Sequence, residues 1–450
     1  MVIGCMQDQG SSGLKNLNRL SAGPWRVKKN ITLSGLFFNP MKKLTLIAFL
    51  MLLAGTTGEV WSCTTFLMSG KYTPDGRPLL YKNRDTGTLD NALAYFTDGK
   101  YDYIGLVDSK ESWKREVWGG FNSAGFAIMN SAAYNNNTGD TTRLADREGE
   151  VMKMALATCA TLADFEKMLS EMPKPIGVDA NFGVIDAQGG AAYYETGNYS
   201  WKKIDANDPA IAPYGLIIRT NHSFTGTADA GFGYIRYEAA SQALNMALAQ
   251  KKLDPPNLFK SISRNLSHAL TQENLRDNLP ASSADERFRY FEDFIPRPSS
   301  ASVMLVVGVA KGEDPAKAMM WTLAGFPLTT VAVPVWVSAG KNMPAVVSMK
   351  ENLHAPLCDA AMTLKNRLFP IKRGSGPKYI NVAILLNSEK KGIMQKLEPV
   401  ETEIFRKTAD LIAALPATGK QQKEAILGHY KWIDSYIIQS YRELFGVEVK

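Results

Sequence analysis

The stretch CTTFLMSGKYTPDGRPLLYKNRD, from Cys63 to Asp85, decides the fold. Its first seven residues are rich in the β-branched and aromatic side chains that favour strands. The tetrapeptide TPDG at 73–76 has the Pro and Gly residues typical of a turn. Because residues 78–84 (PLLYKNR) again favour a strand, the stretch predicts a β-hairpin. In that hairpin the polar end of the second strand returns to Cys63.

Strand and helix patterns continue along the chain in separate groups. Strands are predicted at 101–108 and 214–220, and as hairpins within 118–134, 182–195 and 301–323. Helices are predicted within 144–172 with a break at Thr161, near 234–249 and 257–272, and from Lys391 to the end with an interruption at 416–419. This order predicts an α+β fold with antiparallel sheets and helices layered outside them, rather than βαβ alternation.

A secretion signal precedes the hairpin. Met41 is followed by two lysines, an unbroken apolar run at 44–54 and a small, polar segment at 55–62, which is the pattern of a signal peptide. The apolar run is shorter than the ~20 residues of a membrane-spanning helix. We therefore expect Met41 to be the start and 1–40 to be a non-native extension, with a genuine disordered extension as the alternative. The signal peptide is expected at 41–62, and an earlier cut followed by a short self-removed propeptide is the alternative. A single domain is expected at 63–450, helical from about 391.

The basic charge of the chain is concentrated in this leader. The chain has 51 Lys and Arg against 44 Asp and Glu, a net charge of +7. Residues 1–62 hold seven basic and two acidic residues, so +5 of that charge lies there and +2 remains for 63–450. No cluster of Lys and Arg with interleaved aromatics follows, so nucleic acid is not an expected partner.

Cys63 follows the predicted cleavage site, and three roles are open to it. Ser62 and Val60 supply the small residues that signal peptidase favours at −1 and −3. The first role is a lipid anchor, but a lipoprotein signal needs a small residue at −2 as well, where Trp61 fits poorly. A disulfide or a structural thiol is the second role. In the third, cleavage makes Cys63 the N-terminus, and its α-amine, with a pKa near ~8, acts as the base for its own thiol.

The other cysteines do not decide between these roles. Cys159 and Cys358 also follow the leader, and there is no CxxC pair. An odd number of cysteines in an exported chain indicates a free thiol. Cys159 could pair with Cys358, but it lies in an apolar helical pattern that favours a buried thiol.

Two polar residues at strand ends are candidates to support the thiol. Asp85 ends the second strand of the hairpin, where it could bind the α-ammonium of Cys63 through a charge-assisted hydrogen bond. A solvated turn is the alternative. Asn130 ends the apolar run 126–129, and a buried Asn must satisfy its amide.

Three further candidates lie downstream. Asn221 and His222 end the strand predicted at 214–220. The alternative roles are a capping Asn and a structural His. Arg236 lies near the start of a predicted helix, where a surface arginine is the alternative.

Taken in order, these motifs resemble a known group of enzymes. They are CTT at 63–65, the Asn-x-Asp end of the second strand, GFNSAGFAIMN at 120–130, and TNH at 220–222 with a downstream Arg. This set is similar to the linear-amide hydrolases of the N-terminal nucleophile (Ntn) superfamily. That group includes choloylglycine (bile salt) hydrolases, penicillin V acylases and isopenicillin N acyltransferase. The acyltransferase-like branch is the most similar, with a weaker echo at 299–308.

The resemblance implies a four-layer αββα fold with two antiparallel sheets between helix layers. It implies that Cys63 is the nucleophile and that Asp85 orients its amine and thiol. Asn221 corresponds to the family's oxyanion residue, and Asn130 is a second oxyanion donor. Arg236 corresponds to the family's downstream arginine.

The chain also departs from the family. The family usually has an arginine beside the thiol, just before the Asn-x-Asp end. Here Lys82 precedes Asn83, and Arg84 is predicted on the other face of the strand. Lys82 could supply the charge but not a bidentate fork. We assign Lys82, Asn83 and His222 to the substrate-binding side of the site.

The function implied by the resemblance is hydrolysis of a linear, non-peptide amide through a thioester acyl-enzyme, with a small-molecule amide as the partner. The enzyme is expected in the periplasm or secreted. Neither a cofactor nor a metal is expected, and the four histidines show no paired ligand spacing. The alternatives are an acyltransferase, a dipeptidase of the branch that also begins Cys-Thr-Thr, and a lipid-anchored binding protein. Acyl and amine specificity and a possible homo-oligomer stay open.

Overall fold

The computed structural model describes residues 62–142, 146–351, 353–415 and 419–450. The predicted extension and signal peptide therefore lie outside the described residues, except for Ser62. The strands are β1 (Thr64–Met68), β2 (Leu79–Asp85), β3 (Asn91–Phe96), β4 (Tyr103–Asp108), β5 (Gly119–Asn122), β6 (Ala127–Ala132), β7 (Ala180–Ile185), β8 (Ala191–Thr196), β9 (Trp201–Asp205), β10 (Leu216–Arg219), β11 (Phe288–Tyr290), β12 (Ser300–Val307), β13 (Met319–Ala324), β14 (Val333–Val335) and β15 (Tyr379–Asn381). The helices are α1 (Glu148–Thr158), α2 (Leu162–Glu171), α3 (Tyr234–Ala249), α4 (Pro255–Leu258), α5 (Pro356–Leu368), α6 (Val382–Leu385), α7 (Ile393–Ala414) and α8 (Lys420–Phe445).

Two antiparallel sheets form the centre of the molecule. The first sheet has six strands in the order β10-β1-β2-β12-β13-β14, and the second has seven in the order β3-β4-β5-β6-β7-β8-β9. Strands β11 and β15 pair separately. The hairpin predicted from Cys63 to Asp85 is β1 and β2, which lie side by side in the first sheet. The predicted antiparallel α+β arrangement is confirmed.

The two sheets pack face to face, and polar and apolar contacts hold them in register. The Tyr193 hydroxyl of the second sheet donates to Thr65 Oγ1 of the first, over 2.9 Å. Gly119 of the second sheet has φ of +142°, and a Cβ there would lie 2.4 Å from Met304 Sδ of the first. Glycine is therefore required at this close approach.

Helices cover the outer face of each sheet. Helix α1 packs on β4, β5 and β6, while α3 packs on β1 and β10 and α5 on β13. The Phe165 ring of α2 lies 6.4, 5.9 and 5.1 Å from the rings of Phe126, Phe182 and Tyr194. The layers therefore run helix, sheet, sheet, helix, as the four-layer prediction requires.

The C-terminal segment is helical, as predicted, and forms the pair α7 and α8. Buried Ile426, Ile433 and Ile437 of α8 recur at helical spacing and form one apolar stripe. The Tyr441 hydroxyl donates to the Thr329 carbonyl over 2.9 Å, which ties α8 to the loop after β13.

One predicted helix is too long. The helix expected near 257–272 is α4 followed by a short π-helical turn, Phe259–Ser263. Asn265 explains the end, because its side chain donates to the Ser261 carbonyl and accepts from the Ser267 N–H. Such local side-chain bonds compete with a continuing helix. The elements that were not predicted are strands β3, β9, β11, β14 and β15 and helices α5 and α6.

None of the helices in the described residues is long and apolar enough to span a membrane.

Candidate active site

Cys63 immediately precedes β1, which lies between β10 and β2. The residue is buried, with 8% of its surface exposed, and its thiol is free. It lines a cavity of about 260 Å³ together with residues from β2, β6 and the start of α1. The cavity is therefore formed where both sheets and one helix meet.

Pairing of β1 with β2 brings the predicted polar strand end to Cys63. Thr64 lies opposite Asn83, so the next residues along β2, Arg84 and Asp85, run alongside Cys63. Lys82, Arg84 and Asp85 all line the same cavity as Cys63. The hairpin predicted this placement.

Arg236 fixes the backbone around Cys63. It lies in the first turn of α3 and is buried. Its guanidinium donates to the Cys63 carbonyl over 2.8 Å, to Thr64 Oγ1 over 2.9 Å and to Asn221 Oδ1 over 2.9 Å. Burial lowers the pKa of Arg236 to about 10. The surface-arginine alternative is wrong, and Arg236 lies in the site.

Asn221 follows β10 and is also buried. Its Oδ1 accepts from Arg236, and its Nδ2 donates to the Ala132 carbonyl over 2.8 Å. Ala132 in turn lines the cavity. The structure therefore brings Asn221 to the edge of the site through Arg236 and Ala132, while its role at an oxyanion stays a prediction.

Lys82, Asn130 and Glu148 form a buried chain of hydrogen bonds across one wall of the cavity. The Lys82 ammonium donates to Asn130 Oδ1 over 2.5 Å and to the Trp118 carbonyl over 2.8 Å. Asn130 Nδ2 donates to Glu148 Oε2. With both amide atoms engaged, the amide orientation of Asn130 is fixed.

Burial changes the charge states along this chain. It lowers the pKa of Lys82 to about 8, while a negative charge on Cys63 acts in the opposite direction. Burial also holds the pKa of Glu148 well above its usual range, and the neighbouring carboxylate of Asp146 adds to the effect. Lys82 therefore gives up its proton more readily than an exposed lysine, and Glu148 holds its proton more strongly than an exposed glutamate.

Arg84 lies on the same face of β2 as Lys82, contrary to the prediction. The Arg84 guanidinium lies 4.7 Å and the Lys82 ammonium 5.9 Å from the centre of the Trp118 ring. Residues two apart on a strand share a face, which is the physical reason. The Arg84 guanidinium forms an ion pair of 2.6 Å with the buried carboxylate of Asp108.

Asn83 and Asp85 lie on the opposite face of β2. Asn83 Nδ2 donates to Asp85 Oδ1 over 2.9 Å, and the Ser300 hydroxyl donates to the same oxygen over 2.6 Å. Asp85 Oδ2 is buried with no hydrogen-bond partner among the described residues, and Arg297 Nε lies 3.9 Å away. Burial raises the pKa of Asp85 to about 6, against the opposing charges of Arg297 and Arg236.

His222 lies away from the cavity lining. Its ring stacks on Phe224 with centroids 5.4 Å apart and meets Tyr237 at 5.8 Å. His222 Nδ1 lies 3.2 Å from the Phe232 carbonyl, and burial lowers the pKa of the imidazole. The substrate-binding assignment of His222 stays a prediction.

Glu148, Trp118, Ser300 and Arg297 are among the residues of the site that were not predicted from the sequence. Glu148 and Trp118 line the cavity, whereas Ser300 and Arg297 contact Asp85. Ser300 lies in the segment 299–308 that showed the weak family echo, so a signal was present for it. Glu148 looked like an ordinary charge in the first turn of a helix, and only the fold reveals its burial.

The other two cysteines among the described residues are not paired. Cys159 and Cys358 are both buried and free, and burial raises the pKa of their thiols to about 11 and about 12. The buried thiol favoured for Cys159 is therefore confirmed, and the pairing left open is wrong.

One group among the described residues has the geometry of metal ligands. Asp90, His354 and Asp359 place one potential ligand atom each within 4.8 Å of one another. His354 already pairs with Asp359 over 3.2 Å, and these three residues do not line the Cys63 cavity.

Comparison with known proteins places the site in a family context. Residues 72–306 match the model of a family described as acyl-coenzyme A:6-aminopenicillanic acid acyl-transferase. The matched range spans just over half of the 450-residue chain. It contains the site residues from Lys82 to Ser300 but begins after Cys63. No curated protein matches the sequence.

Several solved structures are similar to this one. Penicillin V acylase from Agrobacterium tumefaciens has 14% identity and a TM-score of 0.36, covering 61% of this chain and 86% of its own. A variant of the conjugated bile acid hydrolase from Clostridium perfringens has 11% identity and a TM-score of 0.38, covering 61% and 92%. The Caenorhabditis elegans ortholog of N-acylethanolamine-hydrolyzing acid amidase has 12% identity and a TM-score of 0.34, covering 54% and 92%.

Proposed function

Because the chain belongs to the acyl-coenzyme A:6-aminopenicillanic acid acyl-transferase family, we propose that it is an exported enzyme that cleaves a linear amide C–N bond with Cys63 as the nucleophile. One observation carries the proposal. A free thiol at the start of a central strand lines a polar cavity with Lys82, Asp85 and Asn130, and Arg236 holds its carbonyl. A structural thiol has no need of such surroundings.

In this mechanism, cleavage between Ser62 and Cys63 creates the α-amine that serves as the base. The amine takes the thiol proton, and the thiolate attacks the amide carbonyl. Asp85 then binds the α-ammonium. Its unpartnered Oδ2 supports this role, because a buried carboxylate oxygen gains most from a charged donor.

The negative charge that develops on the carbonyl oxygen needs hydrogen-bond donors. Asn130 is one donor, since its Nδ2 carries a second hydrogen beyond the one given to Glu148. Asn221 and backbone N–H groups are the other candidates. A single such donor is worth ~3 kcal/mol of transition-state stabilisation. The leaving amine departs, and water then hydrolyses the thioester.

The experiment compares processed wild type with Cys63→Ser, Asp85→Ala and Cys159→Ser on a panel of bile-salt conjugates, penicillin V, N-acyl amino acids and dipeptides. We expect both site variants to lose amide turnover, and Cys159→Ser to keep it because that thiol is buried outside the cavity. Intact mass should show an acyl group on wild type alone. Normal turnover in Cys63→Ser would refute the nucleophile.

Acyl transfer is the second candidate, and the description of the matched family favours it. In that case the thioester passes its acyl group to an amine rather than to water. Products are compared with and without an added amine acceptor. Formation of a new amide at the expense of the free acid would identify a transferase.

Export belongs to the same proposal, because the base exists only after the leader is removed. The secreted protein should begin at Cys63 with a free amine in its intact-mass spectrum. An acylated N-terminus would instead support the lipid-anchored binding protein, since acylation consumes the base.

A further inference from the structure

The Lys82 ammonium lines the cavity and uses two of its three N–H groups in hydrogen bonds. It is 1% exposed and donates to the Trp118 carbonyl and to Asn130 Oδ1. An ammonium has three hydrogens. Because no third acceptor for Lys82 occurs among the described residues, its last N–H is available to a group that enters the cavity beside Cys63.

The surroundings of Lys82 favour loss of that proton. Burial and the nearby Arg84 guanidinium lower its pKa, whereas a thiolate on Cys63 raises it. Lys82 can therefore change charge during a reaction at Cys63, which an arginine cannot do. The charged and titratable groups that face it are Cys63, Arg84, Asp108, Asp146 and Glu148.

We propose that Lys82 is the catalytic acid–base residue that protonates the leaving amine and later deprotonates the attacking water. This inference rests on the proposed function of Cys63. It assigns Lys82 a chemical step in addition to a positive charge.

The step balances over one turnover. In acylation the α-amine of Cys63 takes the thiol proton, the C–S bond forms and the C–N bond breaks as Lys82 Nζ gives its proton to the leaving nitrogen. Lys82 is then neutral and the α-amine charged. In deacylation Lys82 takes a proton from water as the new C–O bond forms. The C–S bond breaks, and the thiolate recovers its proton from the α-ammonium.

Glu148 is the competing proton donor, because its pKa is raised and it lies two hydrogen bonds from Lys82. Its carboxyl accepts from Asn130, which assigns it to positioning. The test must therefore separate these two residues and must separate proton donation from positive charge.

The experiment uses two probes with the same acetyl group, the 4-nitroanilide and the 4-nitrophenyl ester. The anilide needs a proton on its leaving nitrogen, whereas nitrophenolate leaves without one. Processed wild type is compared with Lys82→Arg, Lys82→Met and Glu148→Gln. Lys365→Arg is the matched control, since Lys365 is also buried with a pKa lowered to about 8 and donates to the Pro298 carbonyl away from the cavity lining.

We expect Lys82→Arg to lower kcat for the anilide by about 100-fold or more, the usual size of general acid catalysis, and to change ester turnover by less than about 3-fold. Its anilide rate should also lose the alkaline limb that wild type shows at about pH 8, the pKa of Lys82. Lys365→Arg and Glu148→Gln should leave the ratio of anilide to ester rates unchanged. Folding of each variant is checked by its melting temperature.

Equal losses on both probes in Lys82→Arg would assign Lys82 to charge or structure and overturn the inference. A selective loss in Glu148→Gln alone would move the role to Glu148. If wild type turns over the ester but not the anilide, no residue protonates the leaving nitrogen, which also overturns the inference about Lys82. If Cys63 of wild type is acylated neither by these probes nor by any member of the substrate panel, the proposed function itself falls, which is a distinguishable result.

Discussion

The Arg236 guanidinium meets Cys63, Thr64 and Asn221 at once, within 2.9 Å of each acceptor. A lysine has one terminal nitrogen and cannot replace the two guanidinium nitrogens that reach these three acceptors. We expect Arg236→Lys to lower the free energy of unfolding by ~2–4 kcal/mol, because buried acceptors lose their donors. kcat should fall by at least about 10-fold with a smaller change in KM, since the loss acts on the geometry of the reacting residue.

Urea unfolding and steady-state kinetics measure both effects. Arg289→Lys is the control, because Arg289 pairs with Glu273 over 2.8 Å with both side chains more than 40% exposed. An exposed pair contributes at most ~1 kcal/mol. If both variants lose the same stability, the three buried bonds of Arg236 have no special role.

Burial of Asp85 lowers the stability of the folded chain when its carboxyl group is ionised. Its pKa is raised from 3.8 to about 6 because burial disfavours the charged form. This holds for the folded chain with an intact Ser62–Cys63 bond. Between pH 3.8 and about 6, that folded chain keeps the Asp85 proton and the unfolded chain has lost it. The stability of the folded chain therefore falls as pH rises through this window. Above the window the cost is roughly 3 kcal/mol at most.

Asp85→Asn removes this cost and keeps an oxygen for Asn83 and Ser300. In the unprocessed chain we expect the variant to gain up to about 3 kcal/mol at about pH 8 and nothing at about pH 4. After processing, the α-ammonium should stabilise the Asp85 carboxylate, so the gain should shrink while amide turnover is lost. Denaturant melts at both pH values test this, and an equal change at both would contradict the titration.

At the scale of elements, Thr161 shows how a local sequence sets a boundary between two helices. Its hydroxyl accepts from the Asp164 N–H over 3.1 Å, and the Asp164 carboxylate accepts from the Thr161 N–H over 3.0 Å, which forms a capping box. We expect Thr161→Ala to lower the free energy of unfolding by ~1 kcal/mol, the usual value of an N-cap. Turnover by the folded enzyme should not change, because α2 does not line the cavity.

Thr158→Ala is the matched control three residues earlier. Its exposed hydroxyl donates back to the Met154 carbonyl within α1 and makes a weak contact of 3.8 Å with Cys159 Sγ, so its removal should cost little stability. Thermal or urea melts of the two variants distinguish them. Equal losses would show that removal of a threonine here, rather than of the cap, weakens the protein.

The sequence could predict those elements whose boundaries depend on local signals. Helix α2 was predicted because its break at Thr161 and its apolar spacing are local signals. Helix α5 was missed because its apolar face becomes evident only against β13. The tail of the helix predicted near 257–272 was wrong because Asn265 bonds its own backbone.

At the scale of the molecule, the hairpin from Cys63 to Asp85 predicted the paired strands β1 and β2, which are confirmed. The family was predicted from this hairpin together with the motifs at 120–130 and 220–222, and it is also confirmed. The site was predictable wherever its residues share the hairpin, as Lys82 and Asp85 do. Glu148 comes from a helix that packs across the other sheet, so no local pattern could place it. Arg297 is visible only through its distance to Asp85.

The C-terminal helix pair makes the stability of the whole molecule depend on pH. His429 of α8 lies 2.9 Å from Thr408 Oγ1 of α7, and that hydroxyl donates to the Ile404 carbonyl, so His429 Nε2 is the donor. Burial, together with the charge of Lys407, lowers the pKa of His429 to about 4. Since an unfolded His titrates near ~6.5, the unfolded chain binds more protons between these values. Stability contributed by neutral His429 is therefore present above about pH 6.5 and lost as pH falls towards 4.

We expect His429→Gln to remove this acid sensitivity. At about pH 7 the variant should be ~1 kcal/mol less stable, because the stack of the imidazole on Trp432 is lost. As pH falls to about 4, wild type should lose up to roughly 3 kcal/mol that the variant does not lose, so the two curves of unfolding free energy should cross. Denaturant unfolding at a series of pH values measures the difference, in which the carboxylates common to both chains cancel. Parallel curves would show that His429 does not link acid to the docking of the helix pair.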